Sequence, residues 1–318
     1  MTVLSGFREA VIARIAFIGM RFSTTIPRMS FHRHGPALFF ACLIAGIFAP
    51  GPSAQRSAPA ASGARILLLP RRIVSGERAT LAVLDVNGRL TPGVTVNFSN
   101  GDRFTTDATG RALFVAPLNP GVIFGSIAGR TGRVATAILA PGEASSTSIE
   151  VSSAPRVASL TDRFELFGRS FCGDADANQV TIAGQPAIVL ASSPAALVVL
   201  PAPDLQPGSA AVEISCARRQ SPPFSVTFVA LELEANSSPL KPDEHRGLTV
   251  RLRGTIAKIA LEARNLTPEI AELSGGNPVR TSSSGGAENL GKFEVVGRKS
   301  GNFLISIRLV PSPGRPLL

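Results

Sequence analysis

From residue 65 onward the chain is interrupted every few residues by turn-forming stretches. "DVNGRLTPG", "DATG", "LNPG", "SGGNP" and "SSSGGAENLG" separate short runs of Val, Ile, Leu, Thr and Phe. No stretch holds an apolar period of 3.6 long enough to build a substantial helix. Several runs alternate strictly: Val94, Val96 and Phe98; Leu248, Val250 and Leu252; Phe303, Ile305, Ile307 and Leu309. A period of two puts one face of a strand inward and the other toward solvent. Short alternating strands with turn signals between them imply an all-β chain built of sandwiches.

Ahead of this region the sequence reads as a leader. From Met29 it runs "MSFHRHGPALFFACLIAGIFAPGPSA", a short basic lead with Arg33, an apolar run over 37–48, then small residues and prolines. That is the layout of a secretory signal peptide. At about 1.5 Å per residue the run is too short to cross a hydrocarbon core of roughly 30 Å. Residues 1–54 are therefore expected to be an N-terminal extension and signal, with cleavage between residues 51 and 61. The stretch 1–28 fits either an amphipathic helix or a start codon placed ahead of Met29. Cys42 follows Phe39, Phe40 and Ala41, a poor lipobox, which argues against lipidation. No other apolar stretch is long enough to span a membrane, so the mature protein is expected to be soluble and secreted, periplasmic or at the cell surface.

Composition narrows the partners. Removing residues 1–54 takes away five Arg and one Glu and lowers the formal charge from +10 to +6. The remaining basic residues are scattered in pairs such as Arg71-Arg72 and Arg218-Arg219, without the dense cluster that follows a phosphate backbone. Nucleic acid is not an expected partner. Trp and Tyr are both absent, which removes the flat rings on which sugars commonly stack and two of the usual interface anchors.

Three sandwiches are expected in series. The first covers 65–140, with "ARILLLP", "RATLAVLD", "GVTVNFSN", "GRALFVAP", "GVIFGSIAG" and "RVATAILA" as strand-like runs. Its "TPGVTVNFSN…TTDATGRALFVAPLNPG" resembles a bacterial immunoglobulin-like domain of the invasin and intimin type, in which Asp107 and Gly110 would form the tight turn before a central strand. Local chemistry agrees, because Asp can cap a turn with its own side chain and Gly accepts positive φ. A Ser-rich stretch over 141–155, "PGEASSTSIEVSSAP", is expected to be a semi-flexible linker. The second sandwich, 156–229, resembles an IPT/TIG domain, the immunoglobulin-like fold shared by plexins and some transcription factors. The resemblance lies in "FGRSF", "NQVTIAG", "LVVLPAP" and "PGSAAVEIS". The third, 230–310, has a general immunoglobulin-like pattern, with "PEIAEL" open to either a helical turn or an edge strand.

Few residues suggest chemistry. Cys172 and Cys216 lie in one small exported sandwich and are expected to pair. Closing that loop would contribute about 4 kcal/mol on the chain-entropy account; a buried unpaired couple is the other reading. Asp174, Asp176 and Asn178 in "DADANQ" have calcium-loop spacing, but Gln179 and Gln185 stand where an EF-hand needs Gly and Glu, so a solvated loop is the better account. Asp107 has no His or second carboxylate at a convincing spacing, and His245 in "KPDEHRG" has no nucleophile motif near it. No metal, cofactor or catalytic residue is expected. The sequence points to a non-catalytic protein with a structural, adhesion or protein-binding role, or alternatively a soluble module for carbohydrate or another envelope component.

Overall fold

The computed structural model describes residues 65–142, 148–234 and 238–310, and the backbone of Arg315–Pro316. The leader expected over 1–54, its cleavage window and Cys42 lie outside the described residues. The chain forms three immunoglobulin-like β-sandwiches in tandem, each around its own apolar cluster. Among the described residues no helix is long and apolar enough to cross a membrane.

The first sandwich has eight strands: β1 (Arg65–Leu68), β2 (Arg72–Val74), β3 (Arg78–Asp85), β4 (Thr95–Phe98), β5 (Arg103–Thr105), β6 (Arg111–Val115), β7 (Gly121–Ile127) and β8 (Arg133–Leu139). β1, β3 and β6 make one antiparallel sheet. β2, β8, β7, β4 and β5 make the other, with β2 parallel to β8. The alternating residues face each other as expected, with Val96, Phe98, Phe114 and Ile123 in the core. Phe98, Phe104 and Phe114 pack with ring centroids 5.1–5.4 Å apart. β2 and β5 are three residues each, too short for an alternating pattern to announce.

The second sandwich begins earlier than its sequence suggests. Residues 141–155 are not all linker: Ile149 is buried, and Glu150–Ala154 forms β9, which pairs with β11 (Phe164–Arg169). Small residues at Ser152, Ser153 and Ala154 hide the strand because they carry little apolar signal, yet they fit a partly covered edge. β10 (Val157–Ser159), β12 (Asn178–Ile182), β13 (Gln185–Ser193), β14 (Ala196–Leu200), β15 (Gly208–Cys216), β16 (Arg219–Gln220) and β17 (Phe224–Glu234) complete the set. β13 starts in one sheet beside β12 and ends in the other beside β14, shifting register between Val189 and Ala191.

The third sandwich takes over β17 without a break. Phe224–Phe228 pair with β15, while Ala230–Glu234 pair with β18 (His245–Arg253). The expected division at 229/230 thus falls inside one continuous strand. β22 (Asn289–Gly297) and β20 (Ala271–Leu273) extend that sheet; β19 (Ala260–Asn265), β21 (Val279–Ser282) and β23 (Ile305–Leu309) form the other. The segment "PEIAEL" is a turn and then an edge strand, β20. The backbone of β24 (Arg315–Pro316) returns to pair with β9.

The first two sandwiches are clamped together. Beyond the end of β1, the free side of β3 meets β13, with Thr80 opposite Ser192. Leu68, Ala82 and Leu84 of the first pack against Leu190, Ala191 and Val198 of the second. Gly173 is the polar hub: its carbonyl accepts from Thr80 Oγ1 and Ser192 Oγ, both at 2.8 Å. A Cβ at Gly173 would stand 1.9 Å from the Arg78 carbonyl oxygen, so only Gly permits this approach. Arg111 crosses the junction to the carbonyls of Val189 and Leu190 and to Asp176. Ser193 Oγ donates to the Arg72 carbonyl at 2.6 Å, and the Arg72 guanidinium lies 4.6 Å above the Phe167 ring.

Candidate functional site

The residues singled out in the sequence are dispersed. Asp107 holds its own turn: its Oδ1 accepts from the Thr109 N–H (2.8 Å), the Thr109 hydroxyl (2.7 Å) and the Arg111 N–H (3.3 Å), and Gly110 follows at φ 77°. The Thr109 hydroxyl, more than any other group, draws its carboxyl below the ordinary value. Every close partner of the carboxylate belongs to the turn, as a hinge residue requires.

Cys172 and Cys216 form a disulfide, with Cα atoms 5.9 Å apart. It ties the loop before Ala175 to the end of β15. Asn178 works beside it, accepting from the Cys172 N–H and donating to the carbonyls of Cys172 and Asp174. Asp174 caps the 3-10 turn Ala175–Ala177 through the Asp176 N–H. The Asp176 carboxylate pairs with Arg111 at 2.9 Å. The three side chains with calcium-loop spacing therefore serve a cap, an interdomain ion pair and a loop brace, and among the described residues no cluster of metal-ligating side chains assembles. His245 is exposed at the start of β18, its Nδ1 2.9 Å from Glu294 Oε1.

A cleft of about 820 Å³ opens between the second and third sandwiches, lined by Ser209, Thr227, Arg251, Arg253, Ile256 and Glu288 among others. Its arginines are engaged nearby: Arg251 binds Glu234 through Nε and Nη2, and Arg253 binds Glu232 at 3.0 Å. The Glu234 hydrogen bond raises the Arg251 pKa further and keeps the guanidinium charged. With both arginines already paired, they offer little unspent attraction to an anionic ligand.

The first sandwich differs. Eight of the eleven large apolar side chains exposed among the described residues belong to it: Ile66, Val86, Leu113, Val115, Leu118, Val122, Phe124 and Leu139. On the outer face of the five-stranded sheet, Val122 is 61 % and Phe124 41 % exposed, with Ala135 opposite Phe124 and Arg133 5.7 Å from its ring. On the outer face of β6, Leu113 and Val115 are 45 % and 58 % exposed. Residues 65–142 also carry nine Arg against four Asp or Glu. Three of those carboxylates, Asp85, Asp102 and Asp107, are bound in their own turns. The ion pairs that this sandwich makes with other described residues, Arg71–Glu165 and Arg111–Asp176, both cross into the second. Burial at that junction raises the Glu165 carboxyl above its ordinary value, against the pull of the Arg71 N–H and charge. Sequence reasoning did not single out this surface, although the outward Leu113 and Val115 of "GRALFVAP" were legible as apolar residues on the solvent side of an alternating strand.

No family model matches the chain, and no curated protein matches it. Solved structures give matches of low similarity. The Bacteroides ovatus mixed-linkage glucan utilization locus protein SGBP-B, solved with a mixed-linkage heptasaccharide, aligns at 14 % identity and a TM-score of 0.32, over 76 % of this chain and 74 % of that one. The four-domain ectodomain fragment of ICAM-5 aligns at 12 % identity and 0.20, over 79 % and 75 %. The titin tandem A164-A165 aligns at 11 % and 0.19, over 52 % and 96 %. The assignment of the fold rests on the strand pairing itself.

Proposed function

We propose that the chain is an exported, non-catalytic binding protein whose first sandwich contacts a protein of the cell envelope or surroundings, while the second and third hold it in place. The observation that carries this reading is the concentration of exposed apolar side chains on the first sandwich. Exposed apolar side chains gathered on one domain, here on the outer faces of both its sheets, favour interaction surfaces there. The Cys172–Cys216 disulfide supports an oxidising compartment, in keeping with the leader-like sequence. The resemblances to invasin-type and IPT/TIG domains fit an adhesion or protein-binding role. A carbohydrate partner is less well served: with no Trp or Tyr, the outward aromatic surface of the first sandwich is limited to Phe124.

The test immobilises the full exported chain and exposes it to cell-envelope extract, beside a panel of hydrolase and protease substrates. Capture of a specific protein should be lost when Leu113, Val115, Val122 and Phe124 are together changed to Ser in a chain that still folds. Capture indifferent to all four changes would refute the placement. Turnover abolished by His245→Ala or Asp107→Ala, with the fold intact, would refute the non-catalytic assignment.

A further inference from the structure

We propose that the free edge of β6 accepts an extended acidic strand from a partner protein, a step that rests on the first sandwich being the binding module. Ala116 N–H donates to the Glu77 carbonyl and Val83 N–H to the Gly110 carbonyl, so residues 110, 112, 114 and 116 bond toward β3. In an antiparallel ladder the alternate residues turn their N–H and C=O the other way. For β6 these are Arg111, Leu113 and Val115. Arg111 is already used on that side, its carbonyl accepting from the Asp107 N–H and its N–H donating to Asp107 Oδ1. Leu113 and Val115 have no backbone partner on that side among the described residues. The edge is bare because β5 pairs with β4 in the opposite sheet.

Three other edges carry features that deter strand addition. β20 holds Glu272 in an ion pair with Arg298, β21 holds Arg280 on Glu262, and β9 is covered by β24. Charges and covering segments of this kind blunt an edge. β6 instead presents two exposed apolar side chains and ends at Val115, two residues before Pro117. The available ladder is short, so a partner strand would gain its main-chain bonds from Leu113 and Val115 and its selectivity from side chains beside them. The row through Leu113 includes Thr80 and the row through Val115 includes Arg78. Arg78 is exposed, and no described carboxylate pairs with it. A partner residue facing Leu113 is best apolar, and one facing Val115 best acidic, within reach of Arg78 across the small Val115. The excess of Arg over Asp and Glu in this sandwich favours that charge and disfavours a second copy of the same edge.

The probe is a fluorescein-labelled seven-residue peptide, Val-Thr-Glu-Thr-Val-Thr-Glu, whose one face alternates Val and Glu, compared by anisotropy with its counterpart carrying Lys for Glu and with a version carrying a central Pro. With the full exported chain, the Glu peptide should bind about tenfold or more tightly than either control, and weaken as salt rises. Leu113→Glu with Val115→Glu should remove that binding, while Leu266→Ser, at an exposed position of the third sandwich, leaves it unchanged. Amide exchange at Leu113 and Val115 should slow when the peptide is added. Equal binding of the Glu and Lys peptides, binding unmoved by the β6 changes, or no anisotropy change up to millimolar peptide would overturn the proposal. So would a dimer that dissociates on Leu113→Lys, which would identify a second copy as the occupant. If capture of an envelope protein needs Val122 and Phe124 but not Leu113 and Val115, the binding reading stands and the strand-accepting edge falls.

Discussion

The first and third sandwiches share a fold and solvate it in opposite ways. On the third, seven of the eleven ion pairs among the described residues form a lattice over the sheets. Arg251 and Arg253 reach diagonally across β17 and β18 to Glu234 and Glu232, two residues off their register partners. The buried Glu262 carboxylate is held by Arg280 and Arg308 from the two flanking strands. On the first, comparable outward positions carry Val122, Phe124 and Ala135. Exposed pairs contribute little stability each, so the lattice serves mainly to keep water on the surface and strands off the edges. Where it is missing, apolar side chains stay exposed.

The sharpest way to break this comparison uses two adjacent residues of β6. Phe114 lies in the core and Leu113 on the open face. Phe114→Ala should destabilise the first sandwich by about 3–5 kcal/mol, the range for aromatic truncation in a packed core. Leu113→Ser should change stability by no more than about 0.5 kcal/mol, as at other open surface positions. Urea titrations followed by far-UV circular dichroism give both, since the chain has no Trp or Tyr to report by fluorescence. Comparable losses would mean that the Leu113 face is covered, and the contrast would fail.

How far the sequence reveals this arrangement depends on what each segment touches. The strands of the first sandwich are legible in runs such as "GVTVNFSN" because one face meets the core and the other meets water. In β3, "RATLAVLD", every residue from Ala79 to Leu84 is buried. That uninterrupted run is the signature of a strand covered on both faces, and it could have announced the junction. The residues completing the junction could not, because Gly173, Ser192 and Ser193 are small or polar and read as loop or turn. The continuity of β17 was visible only as the lack of any Gly, Pro or Asn between Phe224 and Glu234. The proposed binding surface is less legible still. An outward Leu113 in sequence is an ordinary surface residue until it is set beside the guarded edges of β20, β21 and β9.

Acid should separate the two sandwiches in the opposite sense. In the third, Arg308 and then Arg280 hold the Glu262 carboxyl below its ordinary 4.5, the Lys241 N–H and Arg246 do so for Glu244, and His245 does so for Glu294. A carboxyl whose pKa is lower folded than unfolded adds stability that is present above the unfolded value and lost as pH falls through the folded one. The first sandwich has one such group, Asp107. Glu165, raised by burial, has the opposite sign: its contribution favours folding below the unfolded value and disappears as pH rises through the folded one, so acid does not weaken the junction through its ionisation. Below pH 4.5, amide protection at Leu248 and Leu261 should therefore decline before protection at Val83 and Phe114, after correction for intrinsic exchange rates. Earlier loss in the first sandwich would show that its stability depends on charges beyond those described.

The smallest expected effect concerns the connection between the first two sandwiches. Leu139 ends β8, Pro141 and Gly142 are exposed, and Ile149 is buried ahead of β9. Limited proteolysis should therefore cut between Pro141 and Ile149, because Glu150–Ala154 is hydrogen-bonded to β11 and cannot readily enter a protease cleft. A flexible linker would then release the first sandwich. The clamp predicts otherwise: the Leu68, Ala82 and Leu84 contacts, the Thr80–Gly173–Ser192 bonds and Arg111 all remain after the cut. At micromolar concentration the nicked protein should elute at the volume of the intact chain and separate only in denaturant. Reduction of Cys172–Cys216 gives the stricter version, because Gly173 follows directly on Cys172 and loses its tether to β15. If the nicked chain separates without denaturant while the disulfide is intact, the first sandwich is not held in a fixed frame, and its exposed face must be understood as that of an independent domain.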